Sequence, residues 1–222
     1  MKVLWFEIST PSRYLNTGQV TLGWQDALEN IVATCKDIEL YIAFESQVSA
    51  DVKVIDGITY IPMITHYSFL EKKIGNHTWA INERKVIEQG RKVIEQYKPD
   101  VIHVFGNEWP FGLLAQYTDI PLVVHIQGSI IPYDNALYPP KYNGYTILKA
   151  AGLNLRRDWH RFMGFNKDKS RLEMERRIWK TVHHFMGRTY WDKALVNMLT
   201  KHATYHHVEE ALRPEFIHSK KL

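Results

Sequence analysis

The chain has 222 residues, 45% of them hydrophobic and 23% charged, with a formal net charge of +4 at neutral pH. That length can bury one sizeable core, and that balance excludes a disordered or fibrous protein. The single cysteine, Cys35, excludes an internal disulfide framework and a multi-cysteine metal site, and fits a reducing, cytosolic compartment.

The opening "MKVLWFEIST" turns polar too soon to form a signal-peptide core. No run approaches the roughly 18 apolar residues of a membrane span. Asn76-His77-Thr78 matches the glycosylation sequon, but without a secretion signal it is expected to stay unmodified.

Runs rich in Val, Ile and aromatic residues predict strands at 3–6, 39–44, 101–105, 121–126, 182–186 and 203–207. Continuous apolar runs of this kind suit strands covered on both faces, as in a parallel sheet. Between them, Trp24, Ala27, Leu28, Ile31, Val32 and Cys35 recur at helical spacing, as do Val86, Ile87, Val93, Ile94 and Tyr97. Pro99 stops the second of these helices just before the next strand. Residues 53–63 break the alternation, because two short β-rich pieces around Asp56-Gly57 form a hairpin signal. Ser170 with Glu173, and Thr189 with Asp192, fit the capping-box spacing and predict two helix starts. Strands alternating with helices predict a doubly wound, mostly parallel, Rossmann-like α/β sheet with helices on both faces.

In such sheets ligands sit beyond the carboxyl ends of the strands. After the first strand, a loop containing Gly18 and Gly23 leads into a helix, a setting in which backbone amides can meet a phosphate. Its spacing is not that of the dinucleotide fingerprint, and a plain turn is the alternative. After the 101–105 strand comes "FGNEWPFGLL", where Asn107, Glu108 and Trp109 lie at the switch from strand to helix and Pro110 suits the first helical turn. Glu108 there can accept sugar hydroxyls or assist a proton transfer, or it can merely favour the helix dipole. His103, among apolar neighbours, reads as a satisfied core histidine. After the 121–126 strand, Gln127-Gly128 sits at the tip, with Gly128 leaving the backbone open to a ligand.

The excess positive charge is concentrated in residues 149–180, which hold ten Lys and Arg against four Asp and Glu. Within it, Leu148, Ala151, Leu155, Trp159 and Phe162 line one face of a predicted helix, and Arg156, Arg157, His160 and Arg161 another. A basic amphipathic helix reads either as a membrane-surface element or as a core-packed helix with a solvated face. His183-His184 and His206-His207 lie in strands, where adjacent side chains point to opposite faces, so neither pair can chelate one ion. No recognition motif points to nucleic acid.

Taken in order, "DVIHVFGNEWPFGLLA", "IPLVVHIQGSI", "GRTYWDKALV" and "LRPEF", after a glycine-containing first loop followed by "GW", resemble the N-terminal half of glycosyltransferase family 4 (group 1) enzymes. The resemblance implies a two-domain GT-B enzyme. Residues 1–222 would form its N-terminal, acceptor-side domain, and the nucleotide-sugar-binding domain would lie outside the chain. It further implies retaining transfer from a nucleotide-sugar to a saccharide or lipid-linked acceptor, with no cofactor and no required metal. The chain alone is then expected to be inactive, and an anionic membrane surface becomes a candidate partner. On that resemblance, Gly18 and Gly23 face the donor phosphates, Gln127-Gly128 lies near the reacting sugar, and Arg188 of "GRTYWD" stands at the cleft. Gln127 occupies a strand end where many relatives carry histidine, and an amide cannot serve as a general base. Two other readings stand beside this one: a non-catalytic α/β domain binding a phosphate ligand, and a membrane-surface docking module.

Overall fold

The computed structural model describes residues 1–15, 23–75, 77–150, 154–212 and 216. Its centre is one eight-stranded sheet of β1 (Lys2–Glu7), β2 (Glu39–Ser46), β3 (Lys53–Ile55), β4 (Ile58–Ile64), β5 (Val101–Phe105), β6 (Leu122–His125), β7 (His184–Gly187) and β8 (Thr204–His207). The strand order is β3-β4-β2-β1-β5-β6-β7-β8, with every pairing parallel except β3 with β4. β1 therefore has β2 on one side and β5 on the other, which sets the topological switch at the ends of β1 and β5.

Apolar strands with no polar alternation need cover on both faces, and the helices provide it. Val3 and Trp5 of β1 point into one cluster with Ile42, Phe44, Tyr60 and Phe105, closed by Trp24 and Leu28 of α2 (Trp24–Val32) and by Tyr14 of α1 (Ser12–Leu15). Leu4 and Phe6 point into the other, with Val86, Ile87, Val93 and Ile94 of α4 (Ala80–Tyr97) and Met174, Ile178 and Trp179 of α7 (Leu155–Thr181). Leu195 and Val196 of α8 (Tyr190–Leu199) close the second cluster. The fold is thus a Rossmann-like α/β sheet with helices on both faces. Three shorter helices, α3 (Phe69–Gly75), α5 (Ile130–Leu137) and α6 (Gly144–Ala150), lie after β4 and β6.

Local signals explain the boundaries. Asp56 and Gly57 take φ of 50° and 81°, the paired positive angles of a type I′ turn, and join β3 to β4 as the Asp-Gly pattern predicts. α4 ends at Tyr97 with left-handed Lys98 just ahead of Pro99. Thr189 and Asp192 form the reciprocal capping box of α8.

The helix expected after Glu108 is present as a 3-10 helix, Pro110–Gln116, with Pro110 in its first turn. Two expectations are corrected. Ser170 and Glu173 start no helix: both lie inside α7, where the Ser170 hydroxyl serves a different helix. Residues 148–163 do not form one amphipathic helix, because α6 ends at Ala150 and α7 begins at Leu155 behind an Asn154 cap. Of the apolar face expected there, Leu148 is 44% and Trp159 55% exposed and Phe162 is partly buried, while Ala151 and the Leu155 side chain lie outside the described residues.

Candidate functional site at the carboxyl edge of the sheet

β5 ends at Phe105, and the chain turns through Gly106, whose N–H donates to the His125 carbonyl at 2.8 Å. The next three side chains then diverge. Asn107 points inward, fully buried, and its amide donates to Glu175 of α7. Glu108 points across the strand ends to Gly128. Trp109, extended at φ −123° and ψ 157°, leads into Pro110 of the 3-10 helix and packs against Trp79 at 5.5 Å.

Glu175 holds this corner together. Its carboxylate accepts Ser129 Oγ at 2.7 Å, the Ile131 N–H at 2.9 Å and Trp179 Nε1 at 3.3 Å, besides the Asn107 amide. A buried carboxylate from α7 thus caps the start of α5, a task that Ser129 at the cap position does not perform with its own side chain. Burial raises the Glu175 pKa, and the Ser129, Trp179 and Ile131 hydrogen bonds oppose that rise.

Glu108 and Gly128 meet on the wall of a cavity of about 340 Å³, with Tyr133, Tyr138 and Arg171 among the other lining residues. A Cβ on residue 128 would come within 2.8 Å of Glu108 Oε1, so the bare glycine is what lets the carboxyl lie against the backbone of the β6 end. Burial raises the Glu108 pKa, and the positive charge of Arg171 pulls against it. Farther along the wall, Lys169 pairs with Asp134 at 2.7 Å, and the Tyr138 hydroxyl donates to Asp168 at 2.7 Å.

Trp109 lines a second cavity of about 560 Å³ together with Trp79, Glu45, Tyr67, Asn82 and Lys167. Arg171 lines the Glu108 cavity and lies against both of these indoles. Its guanidinium lies 5.0 Å from the Trp79 ring centre and 5.6 Å from that of Trp109. Arg188 stands farther off, in a third cavity of about 730 Å³ at the β7 and β8 ends, and is ion-paired with Glu210.

At the switch point the buried polar groups are unusual. Glu7, at the end of β1, has an Oε2 with no hydrogen-bond partner among the described residues, and its pKa is raised by burial first and then by Glu29 and Asp26. His103 is buried as the sequence implied, but its Nε2 and both ring nitrogens of His125 also have no partner among the described residues. The two imidazoles stack at 5.6 Å, with Trp5 edge-on to His103 and Trp24 over His125 at 4.8 Å. Burial holds their pKa values down to about 3 and about 4 respectively.

The structure therefore unites Glu108 with Gly128 and places Trp109 one residue away in an adjoining cavity. Gln127 is exposed at the strand tip and is not among the residues lining the Glu108 cavity. Asn107 serves Glu175 rather than an open surface. Gly23 caps α2 with φ 60°, whereas Gly18 lies outside the described residues, as do Asn76 of the sequon and residues 213–215 within "LRPEF". Arg156, Arg157 and Arg161 are exposed on the first turns of α7 around Trp159. Arg171, Glu175 and Trp79 were not singled out by sequence reasoning. Among the described residues, no group of three or more His, Cys, Asp or Glu is placed to hold a metal ion, and no helix is long and apolar enough to cross a membrane. Across the β7–β8 pair, His184 Nδ1 lies 3.3 Å from His206 Nε2.

A parallel α/β sheet with a cavity at its carboxyl edge defines a Rossmann-like domain with a strand-end site. No family model matches the chain. Among solved structures, a sucrose-phosphate synthase from Thermosynechococcus elongatus matches 93% of this chain at 10% identity and a TM-score of 0.52, and 47% of that synthase chain is covered. A shorter sucrose-phosphate synthase chain from the same organism matches 93% at 11% identity and a TM-score of 0.50, with 87% of it covered. These likenesses show the fold alone. Among curated proteins, the UDP-N-acetylglucosamine--N-acetylmuramyl-(pentapeptide) pyrophosphoryl-undecaprenol N-acetylglucosamine transferase of Histophilus somni (strain 129Pt) is 36% identical over 55 residues, which is 24% of this chain and 15% of that protein. The chain thus spans about half of the longer synthase and a small part of the transferase.

Proposed function

We propose that this chain is the acceptor-side domain of a retaining glycosyltransferase. It would work with a nucleotide-sugar as donor, a saccharide or lipid-linked saccharide as acceptor and no required metal. The observation that carries this reading is Glu108 lying against Gly128 at the carboxyl edge, in a cavity shared with Arg171, on a fold shared with sucrose-phosphate synthase.

Burial makes the Glu108 carboxylate a stronger base than a solvated one, which suits it to take a hydroxyl proton. In the transfer step, the acceptor oxygen forms a bond to the anomeric carbon on the same face from which the diphosphate departs, so configuration is retained as the bond from that carbon to the diphosphate breaks. The diphosphate leaves with its electron pair, and the hydroxyl proton passes to Glu108. Exposed Gln127 at the neighbouring strand tip can hydrogen-bond sugar hydroxyls in both directions. Arg188 and Gly23 stand at other strand ends, and their place in this reading is on the donor side.

The test uses the full gene product with a panel of UDP-, GDP-, ADP- and dTDP-sugars, following nucleotide release and the anomeric configuration of the product. Glu108→Gln should lower kcat by about 10²–10⁴ with little change in melting temperature. Absence of turnover with every donor, or wild-type kcat in the variant, would sink the reading.

A further inference from the structure

Lys167 and Arg171 lie one turn apart on α7, on the same face of the helix. Both lean on one ring: the Lys167 Nζ is 5.4 Å and the Arg171 guanidinium 5.0 Å from the centre of Trp79. Among the described residues, no carboxylate oxygen lies within 4.0 Å of either cation. On the same helix, Lys169, Arg176 and Arg177 do have carboxylate partners. Arg171 Nε is in addition buried without a hydrogen-bond partner.

The cavity beside them has the composition that pyranoses demand. Two indoles, Trp79 and Trp109, supply apolar ring surface for sugar C–H groups, and Asn82 and Glu45 supply planar acceptors for hydroxyls. Its volume of about 560 Å³ admits more than one sugar ring. Its acids do not cancel the cations. Glu71 is taken by Lys85 at 2.9 Å and Arg84 at 3.1 Å, while Glu45 accepts the Thr65 and Tyr67 hydroxyls, neutral donors that leave its charge free to face sugar hydroxyls. Lys72, exposed on α3, adds a further positive charge to the rim.

We infer that the Trp79–Trp109 cavity binds a saccharide bearing an anionic group, either a carboxylate or a phosphate, which Lys167 and Arg171 neutralise while the sugar ring packs on the indoles. This site rests on the acceptor-side reading for its place in catalysis but not for its binding chemistry. Because Arg171 lines the Glu108 cavity and lies against the Trp79 and Trp109 rings, one anionic sugar seated on those rings adjoins the carboxyl that would act on the next hydroxyl.

The experiment is a binding titration by tryptophan fluorescence and saturation-transfer NMR at low ionic strength, with glucose, glucuronate, glucose 6-phosphate and inorganic phosphate as probes. Glucuronate or glucose 6-phosphate should bind at least about tenfold more tightly than glucose and than inorganic phosphate, with saturation transfer to the sugar C–H protons. Lys167→Met and Arg171→Met should each reduce that preference several-fold, at unchanged melting temperature for the half-exposed Lys167. Equal affinities for the neutral and anionic sugars, equal binding of inorganic phosphate alone, or an unaltered preference in Lys167→Met overturns the proposal. These affinities are measured without a donor and without turnover, so failure of the transferase reading and failure of this site are read separately.

Discussion

The hydroxyl of Ser170, in the interior of α7, accepts the N–H of Trp79 at 2.9 Å and lies 3.1 Å from the Thr78 hydroxyl. Trp79 is the cap residue of α4, and it has no side-chain cap of its own. One small polar group on a packed helix therefore fixes where another helix begins. It also fixes the indole that lines the larger cavity.

Ser170→Ala removes that acceptor from a partly buried N–H. The expected cost is about 1–2 kcal/mol, measured as a lower midpoint in urea with an unchanged slope. Because Trp79 moves with its cap, the tryptophan emission spectrum should shift in the native state as well. An emission spectrum and midpoint identical to those of the parent would show that the contact does not hold α4.

This contact also marks the boundary of what the sequence disclosed. The strands were legible because β1, β5 and β6 are buried on both faces and carry unbroken apolar runs, and the Thr189–Asp192 box was legible because both partners lie within one turn. Ser170 and Glu173 show the same spacing, yet the serine's partner is 91 residues away, and no local pattern encodes that. The apolar periodicity of residues 148–163 misled for a related reason: it described an ideal helix, while the chain breaks between α6 and α7 and leaves Trp159 beside His77 at 5.6 Å. At the site, Glu108 and Gly128 could be read because both sit at strand ends where the fold places ligands. Arg171 could not, because its importance comes from Trp79, Trp109 and Glu108, which converge on it only in three dimensions.

His103 gives a pH-dependent prediction. Its folded pKa is held down to about 3 by burial, with the His125 charge as the smaller cause. The unfolded imidazole takes up a proton near pH 6.5, so the stability contributed by the neutral folded ring is whole above that value and is lost as pH falls toward the folded pKa. His103→Phe, flanked by Trp5 and Phe105, removes this proton uptake. The variant should gain on the parent by about 1.4 kcal/mol per pH unit between about pH 6 and 4, read from urea midpoints. Parallel pH profiles for the two proteins would show that His103 is solvated or protonated in the fold.

Glu7 has the opposite sign. Its folded pKa is raised, so the penalty of charging it inside the sheet is absent below the unfolded carboxyl value and grows as pH rises through the folded one. Glu7→Gln keeps the shape and removes the charge. Melting temperature at pH 7 to 8 should therefore rise by a few degrees, on the order of 2–4 °C per kcal/mol relieved, with the gain vanishing near pH 4.5. A loss of stability at neutral pH would mean that the carboxylate has a cationic or hydrogen-bonding partner in solution.

Gly128→Ala tests the pair on which the functional reading stands. The new Cβ would come within 2.8 Å of Glu108 Oε1 and 3.1 Å of its Cδ. Those atoms end a flexible side chain, so the carboxyl can swing away rather than distort the backbone, and the stability change should stay within about 1 kcal/mol. A misplaced base is more costly than a strained one: turnover by the full gene product should fall by about tenfold or more. In a Glu108→Ala background the same glycine substitution should add no further loss, because the two residues act as a unit. Full additivity of the two substitutions would place Gly128's contribution elsewhere, in the approach of substrate to the β6 end.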